Sequence, residues 1–475
     1  MLFNSLQFLL FFPIVVCLYW LLNPRLRNGM LLVASYYFYM NWEPVYALLI
    51  LFSTVTTWGA SQMIARTPKS DSRRRKLWLW SCIGVNLAIL FLFKYFNFIT
   101  GEVFSLLNAL GIRMDVPHFS LLLPVGISFY TFQAVGYIVD VWRGTVEPTR
   151  SLGRYALFVS FFPQLVAGPI ERSSNLLPQF GYVHRFDGLK VIEGLKMMMF
   201  GYFMKLCIAD SVSGYVDAVY NNLPYHTGPS VWLATFFFTF QILCDFGGYS
   251  LMAIGAAKCM GFDLMQNFRQ PYLAESFKDF WRRWHISLSS WFTDYVYISL
   301  GGNRCSRRRQ TANTMATMLV SGLWHGANWT FVIWGGFHGL MLVGNNVKRR
   351  GKWLNFKILS PPITRIINIL FVFLMVMAGW VFFRANSLPD AALAFSKMFT
   401  HPGMLYTGEG VPTLLLSILL IGCLMLREMW VEYKWHIPYI SGPSVVRDIL
   451  YTAMLVIVIL LCGRFDGGQF IYFQF

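Results

Sequence analysis

Apolar segments recur along nearly the whole chain, separated by short polar or basic stretches. Mainly apolar runs cover about 5–22, 29–42, 44–65, 77–98, 120–142, 190–210, 229–258, 313–347, 366–383, 411–426 and 448–463. A bilayer-spanning helix needs roughly 20 such residues, so the pattern predicts an all-α polytopic membrane protein with about ten to twelve membrane segments. Several runs contain Pro or Gly, which membrane helices tolerate where neighbouring protein satisfies the backbone. The runs leave no room for a separate soluble domain, and 1–475 is expected to be one integral-membrane domain. The first run has no basic residues before it, which predicts a retained helix rather than a cleaved signal peptide.

The basic loops give an orientation. Arg25 and Arg27 follow the first span, and Arg66, Lys69, Arg73, Arg74, Arg75 and Lys76 follow the third. Two loops separated by two crossings lie on one side, and Lys/Arg density makes that side cytoplasmic. The segment 310–347 has no Asp, Glu, Lys or Arg, yet Arg304 and Arg307–Arg309 precede it and Lys348, Arg349, Arg350 and Lys352 follow it. With both ends cytoplasmic, it must enter and return as a hairpin.

A different periodicity governs 277–294. At 100° per residue, Phe277, Phe280, Trp281, Trp284, Leu288, Trp291 and Phe292 share one face, opposite Lys278, Asp279, Arg282, Arg283, Ser289, Ser290 and Asp294. Such a pattern predicts an amphipathic helix lying in the membrane interface.

Composition agrees with a membrane protein. Charged residues make up 13% of the chain and apolar residues 56%. The formal net charge of +17 reads as the Lys/Arg excess of cytoplasmic loops, and nucleic acid is not an expected partner. The eight cysteines show no C-x-x-C and mostly lie in apolar runs, so neither a disulfide framework nor a zinc site is expected.

Candidate chemistry concentrates on histidine. Among the eight histidines, only His325 and His338 lie within a long uncharged run. At 1.5 Å per residue, His325 is ~24 Å along a helix from Arg309, well inside a hydrocarbon core. An ionisable side chain at that depth marks a functional-site candidate, against the plainer alternative of an imidazole bonded to a neighbouring helix. Trp324, Asn328 and Trp329 surround it in sequence, and Gly322 and Gly326 permit close packing that would keep the slot dry. His338, in Trp334-Gly-Gly-Phe-His-Gly, reads as a packing residue. His285 falls at the boundary of the amphipathic faces; periodicity alone favours an interfacial anchor there. Zinc-hydrolase, serine-esterase and nucleotide-binding motifs are missing (H-E-x-x-H, G-x-S-x-G, Walker A, G-x-G-x-x-G). Asn86, Gln133, Asp140, Gln164, Glu171, Asp210 and Asp245 are further polar residues in or beside apolar runs, able either to line a path or to bridge helices.

Several of these stretches resemble the membrane-bound O-acyltransferases. The likeness rests on the run from Asn267 to Arg304, with its Phe-Trp-Arg-Arg-Trp-His-Ile-Ser-Leu-Ser core, and on Ser321-Gly-Leu-Trp-His-Gly-Ala-Asn-Trp329 and Trp334-Gly-Gly-Phe-His-Gly339. Leu123–Gln133, Phe162–Glu171 and Asp245–Ser250 add to it, and the closing Phe-Ile-Tyr-Phe-Gln-Phe resembles the bacterial alginate O-acetyltransferase branch. One departure is Leu251, where many bacterial relatives have a second Asp after D-F-S-G-Y-S. The resemblance implies re-entrant and interfacial helices around a central acyl-transfer chamber. It makes His325 the principal catalytic residue and His285 a second one, with Trp324, Asn328, Trp329, Trp284, Gln133 and Asp245 as chamber-lining candidates. It implies no permanently bound cofactor. The expected donor is acetyl-CoA or another acyl thioester, and a periplasmic acyltransferase is the expected protein partner, in a bacterial inner membrane. Thioester-to-hydroxyl transfer needs a base and a dry, oriented site, and two histidines can divide base and carbonyl-polarising roles. The alternatives are D-alanyl transfer to teichoic acid and, in another class, a transporter, although the chain shows no repeated halves of the kind inverted-repeat transporters carry.

Overall fold

The structure, a computed structural model, describes residues 1–112, 123–166, 168–347, 360–435, 445–465 and 470–471. Helices joined by short connections make up the fold, with no β-strand among the described residues. Two units divide the chain, Met1–Leu195 with Ala253–Met265, and Lys196–Met252 with Gln266–Phe475.

The first unit contains α1 (Leu6–Leu21), α2 (Pro24–Met40), α3 (Tyr46–Arg66), α4 (Ser72–Leu90) and α5 (Ile127–Arg143). Asp71 caps α4 by accepting from the Arg74 amide, so the basic run 73–76 starts the helix instead of remaining loop. Asn86 on α4 accepts from Ser53 Oγ on α3 at 2.6 Å and donates to Thr57 Oγ1 at 3.3 Å. This intramembrane amide is a bridge between helices. Glu171, buried near the end of the Phe162–Glu171 stretch, accepts from Asn175 Nδ2 at 2.8 Å and from the Met265 amide.

The second unit holds most of α6 (Gly228–Cys259), then α7 (Phe277–Arg283), α8 (Ile286–Phe292), α9 (Arg307–His325), α10 (Trp329–Val347), α11 (Pro361–Arg384) and α12 (Val411–Tyr433). Segment 310–347 does form a hairpin. Ser306 caps α9, Gly326–Asn328 make the turn, and Asn328 Oδ1 accepts from the Thr330 amide to start α10. Glycine allows the two helices to touch: a Cβ on Gly322 would strike the Phe331 carbonyl and lie 3.2 Å from the Gly335 Cα. The second basic cluster expected to flank this hairpin, 348–352, lies outside the described residues.

Two expectations change. Five helices are long and apolar enough to span a bilayer: α3, the continuous Ser72–Ala109 stretch that begins with α4, α6, α11 and α12. The count of ten to twelve was higher because it took every apolar run as a crossing. Leu6–Leu21 and Ile449–Cys462 are apolar but short, and 313–347 splits into the two hairpin helices. Segment 277–294 is also not one amphipathic helix. Phe277, Phe280, Trp284, Leu288, Trp291 and Phe292 are buried as the periodicity requires. The helix nevertheless breaks at Trp284 and His285, where Trp284 is extended and His285 adopts φ +42°, ψ +56°. A left-handed residue cannot continue a right-handed helix. Arg283, assigned to the polar face, is buried and paired with Asp279 at 3.0 Å and Glu432 at 2.9 Å.

Candidate active site

Three histidines gather in the second unit, and their surroundings assign them different work. His325 is the last residue of α9 and is 2% exposed. Its Nδ1 lies 2.6 Å from the Ser321 carbonyl oxygen, one turn back. A carbonyl only accepts, so Nδ1 carries the proton and Nε2 is the basic nitrogen of the neutral ring. Trp334, Trp324 and Phe383 box the imidazole, with ring centroids at 4.8, 5.0 and 5.6 Å. The box is apolar and dry, as the sequence suggests.

His285 is fully buried at the break between α7 and α8, which removes the interfacial-anchor reading. The left-handed backbone, tolerated by histidine more than by most residues, turns the side chain away from the interface face. Asn267 receives it. Its Oδ1 accepts from the Ser287 amide at 3.4 Å and from Ser287 Oγ at 3.0 Å, and lies 3.0 Å from His285 Nδ1. A backbone amide only donates, so the atom facing this cluster is the amide oxygen and His285 Nδ1 carries the proton. Asn267 Nδ2 completes the arrangement by donating to Ser250 Oγ at 3.0 Å. Both histidines therefore keep Nε2 as the basic nitrogen. The Trp324 ring meets both imidazoles edge-on, 5.0 Å from His325 and 6.2 Å from His285.

His338 sits mid-helix on α10, fully buried, 5.0 Å from Trp334 and 5.3 Å from Trp281, and 6.0 Å above Phe280 in a stacked pose. It packs, as expected. Trp284 is buried between Phe280 and Trp380 and forms part of the same aromatic mass. Trp329 is 47% exposed and is not among the residues lining the cavity beside His325, because the first residue of α10 turns outward there. Gln133 is buried on α5 of the first unit, outside the unit that carries the histidines.

Beside the aromatic box lies a cavity of about 680 Å³, reached past Gly326 and Phe383 and bordered by Asn328 and Asp245. Asp245 is buried, 2.7 Å from Lys205 Nζ, and its Oδ2 accepts from the Ile471 amide at 2.7 Å. Lys205 also pairs with Asp210 at 2.8 Å. Asn267, Ser287 and Lys205 were not among the expected site residues. Lys205 offered a signal, as a cation inside the apolar run 190–210. Asn267 offered none that periodicity could separate from a loop asparagine.

A polytopic helical membrane protein with paired buried imidazoles, an aromatic wall and an adjoining polar cavity is built for histidine-assisted group transfer. A family model described as membrane-bound O-acyltransferase matches residues 149–385. The probable alginate O-acetylase of Azotobacter vinelandii is 40% identical over 91% of this chain and 86% of its own length. The peptidoglycan O-acetyltransferase of Helicobacter pylori is 32% identical over 84% of this chain and 80% of its own length. The teichoic acid D-alanyltransferase of Streptococcus thermophilus is 32% identical over 49% of this chain and 59% of its own length. The chain belongs to the membrane-bound O-acyltransferase family, and it is an O-acyltransferase. A transporter without transferase chemistry is thereby set aside.

Proposed function

We propose that this enzyme moves an acetyl group from a cytoplasmic thioester, acetyl-CoA or a relative, to a hydroxyl acceptor for O-acetylation of an exported or cell-wall polysaccharide in a bacterial inner membrane. Acetyl is favoured over D-alanyl because the acetyltransferase relatives match most of the chain, whereas the D-alanyltransferase match covers about half. An extracytoplasmic acyltransferase, implied by the family resemblance, is the expected next handler of the acyl group.

The observation that carries this reading is the pinned imidazole of His325 beside a polar cavity. In the proposed step, the acceptor oxygen attacks the thioester carbonyl while its proton passes to His325 Nε2. The C–O bond forms, the C–S bond breaks, and the departing thiolate takes the proton from the imidazolium, which returns the ring to neutrality. His285 then has a different part from the carbonyl polarisation expected of it. Its neutral ring has no proton on Nε2, so it accepts a hydrogen bond there and orients a hydroxyl. Replacing His325 by Ala tests the proposal. A general base contributes typically 10²–10⁴-fold. Radiolabelled acetyl transfer by purified protein should fall by that factor while membrane abundance stays normal. Full transfer by a normally expressed H325A protein would refute it.

A further inference from the structure

The cavity beside His325 contains polar atoms that the folded protein leaves unpaired. Thr330 Oγ1, on a residue 1% exposed, has no hydrogen-bond partner. Neither has Asp210 Oδ2, although Asp210 Oδ1 pairs with Lys205 and the residue is 7% exposed. Gln241 Oε1, buried on α6, is the third. All three residues line the same cavity. Buried polar groups in native proteins are nearly always paired, so three unpaired ones converging on one space call for an occupant. Two of the three atoms can only accept and the third can do either, so the occupant must donate hydrogen bonds. Hydroxyl groups do this. At about 680 Å³ the space lies within the range of small-molecule sites, and Phe331 and Phe383 supply apolar wall.

The charges define the occupant further. Two cations, Lys205 and Arg384, and three carboxylates, Asp210, Asp217 and Asp245, line the cavity, for a formal balance of −1. Both cations are already engaged: Lys205 by Asp210 and Asp245, Arg384 by Asp217 at 2.6 Å. An entering carboxylate would find no uncommitted cation and would face like charge in a partly desolvated space, which is strongly unfavourable. Nineteen residues of α9 separate the cavity from Arg307. At 1.5 Å per residue this is roughly 28 Å, so by the distribution of basic loops the cavity lies toward the extracytoplasmic end.

We propose that this cavity is the acceptor subsite, and that it admits an uncharged alcohol while excluding carboxylated sugars. The assignment deepens the acyl-transfer reading and rests on it. The polyuronate itself would then not be the group that enters the cavity, even though several relatives carry the name of alginate O-acetylases. The hydroxyl is supplied by a neutral sugar or by an uncharged side chain of a partner protein.

Ligand-observed NMR on the purified full-length protein tests this with three probes: the neutral trisaccharide chitotriose, trimannuronate, and the peptide acetyl-Gly-Ser-Gly-amide. At least one neutral probe should bind at least tenfold tighter than trimannuronate. Thr330→Val should weaken that binding at least fivefold. Asp217→Asn, at a carboxylate on the exposed rim, should leave Arg384 for the ligand and raise trimannuronate binding at least fivefold. Binding of chitotriose alone assigns the hydroxyl to a glycan, and of the peptide alone to a protein side chain. Equal or tighter binding of trimannuronate to the unaltered protein, no saturable binding of either neutral probe, or indifference to either substitution overturns the proposal. The His325→Ala protein should keep the same binding preferences while losing transfer, so failure of the chemistry and failure of the subsite give different results.

Discussion

The replacement of Asn267 by Ala probes the least expected part of the site. One carboxamide, 1% exposed, holds His285 Nδ1, Ser287 Oγ and Ser250 Oγ, each at 3.0 Å. Removing it leaves His285 in its left-handed backbone but releases the ring from a single tautomer and orientation. A misplacement of about 1 Å at a reacting group costs roughly 10²-fold in rate, so kcat should fall about 10²-fold. KM for the acyl donor should stay nearly constant, since the lost interaction matters to the reacting geometry more than to donor binding. Stability should suffer too, because each buried polar group left without a partner costs roughly 1–3 kcal/mol. Ser250→Ala is the control, since it takes away only the bond on the amide-nitrogen side. Its loss should be about 1 kcal/mol with less than a tenfold effect on rate. The assay is steady-state acetyl transfer by detergent-purified protein, with thermal unfolding measured on the same samples. If N267A turns over at the rate of the unaltered protein, Asn267 does not position His285 for catalysis. If S250A and N267A lose activity equally, the effect belongs to the local fold and not to the imidazole.

Gly322→Ala should destabilise the α9–α10 hairpin by about 1–3 kcal/mol and lower the yield of folded protein, because its Cβ meets backbone on α10. Gly336→Ala, whose Cβ would touch only Leu319 Cδ2 at 3.5 Å, should not, and a comparison of size-exclusion profiles decides between them. Burial pushes Glu171 from the ordinary 4.5 up to about 7. A raised carboxyl favours the folded state at low pH, so stability should fall as pH rises from about 4.5 through about 7, by at most ~3 kcal/mol. Glu171→Gln, which keeps an amide oxygen for the Met265 amide, should flatten that part of the thermal-stability profile, and an unchanged slope would show that another group titrates there.

What the sequence makes legible is set by periodicity and by charge. The 310–347 hairpin is readable because basic clusters at both ends forbid a single crossing. His325 is readable because an imidazole so far from the nearest charge is costly without a purpose. The apolar face of 277–294 is readable as well, residue by residue, but the break inside it is not. Periodicity describes a helix that continues, whereas the backbone at His285 depends on Asn267, eighteen positions away, accepting bonds from both sides of the break. Buried Arg283 is hidden for a similar reason: its partner Glu432 arrives from α12. Trp329 and Trp324 look equivalent along the chain, yet the turn at Gly326–Asn328 buries one and exposes the other. The span count fails differently, because hydropathy measures what can sit in lipid and not what has length enough to cross it.

The placement of the three histidines follows one physical rule. His338, mid-helix, has its direction fixed by α10 and its surface covered by Trp281, Trp334 and Phe280, so substrate cannot approach it. His325 and His285 both sit where a helix stops. At the end of α9 the chain leaves the helical path at Gly326, whose extended backbone opens space next to the imidazole. A residue with a side chain cannot take that position, because its Cβ would collide with the Phe331 ring. At His285 the left-handed turn does the same, at a cost of order 1–3 kcal/mol that the Asn267 hydrogen bonds offset. A helix terminus combines a rigid backbone on one side with an opening on the other. Two such termini meeting at Trp324 allow this fold to keep both imidazoles oriented, dry and within reach of an acceptor hydroxyl.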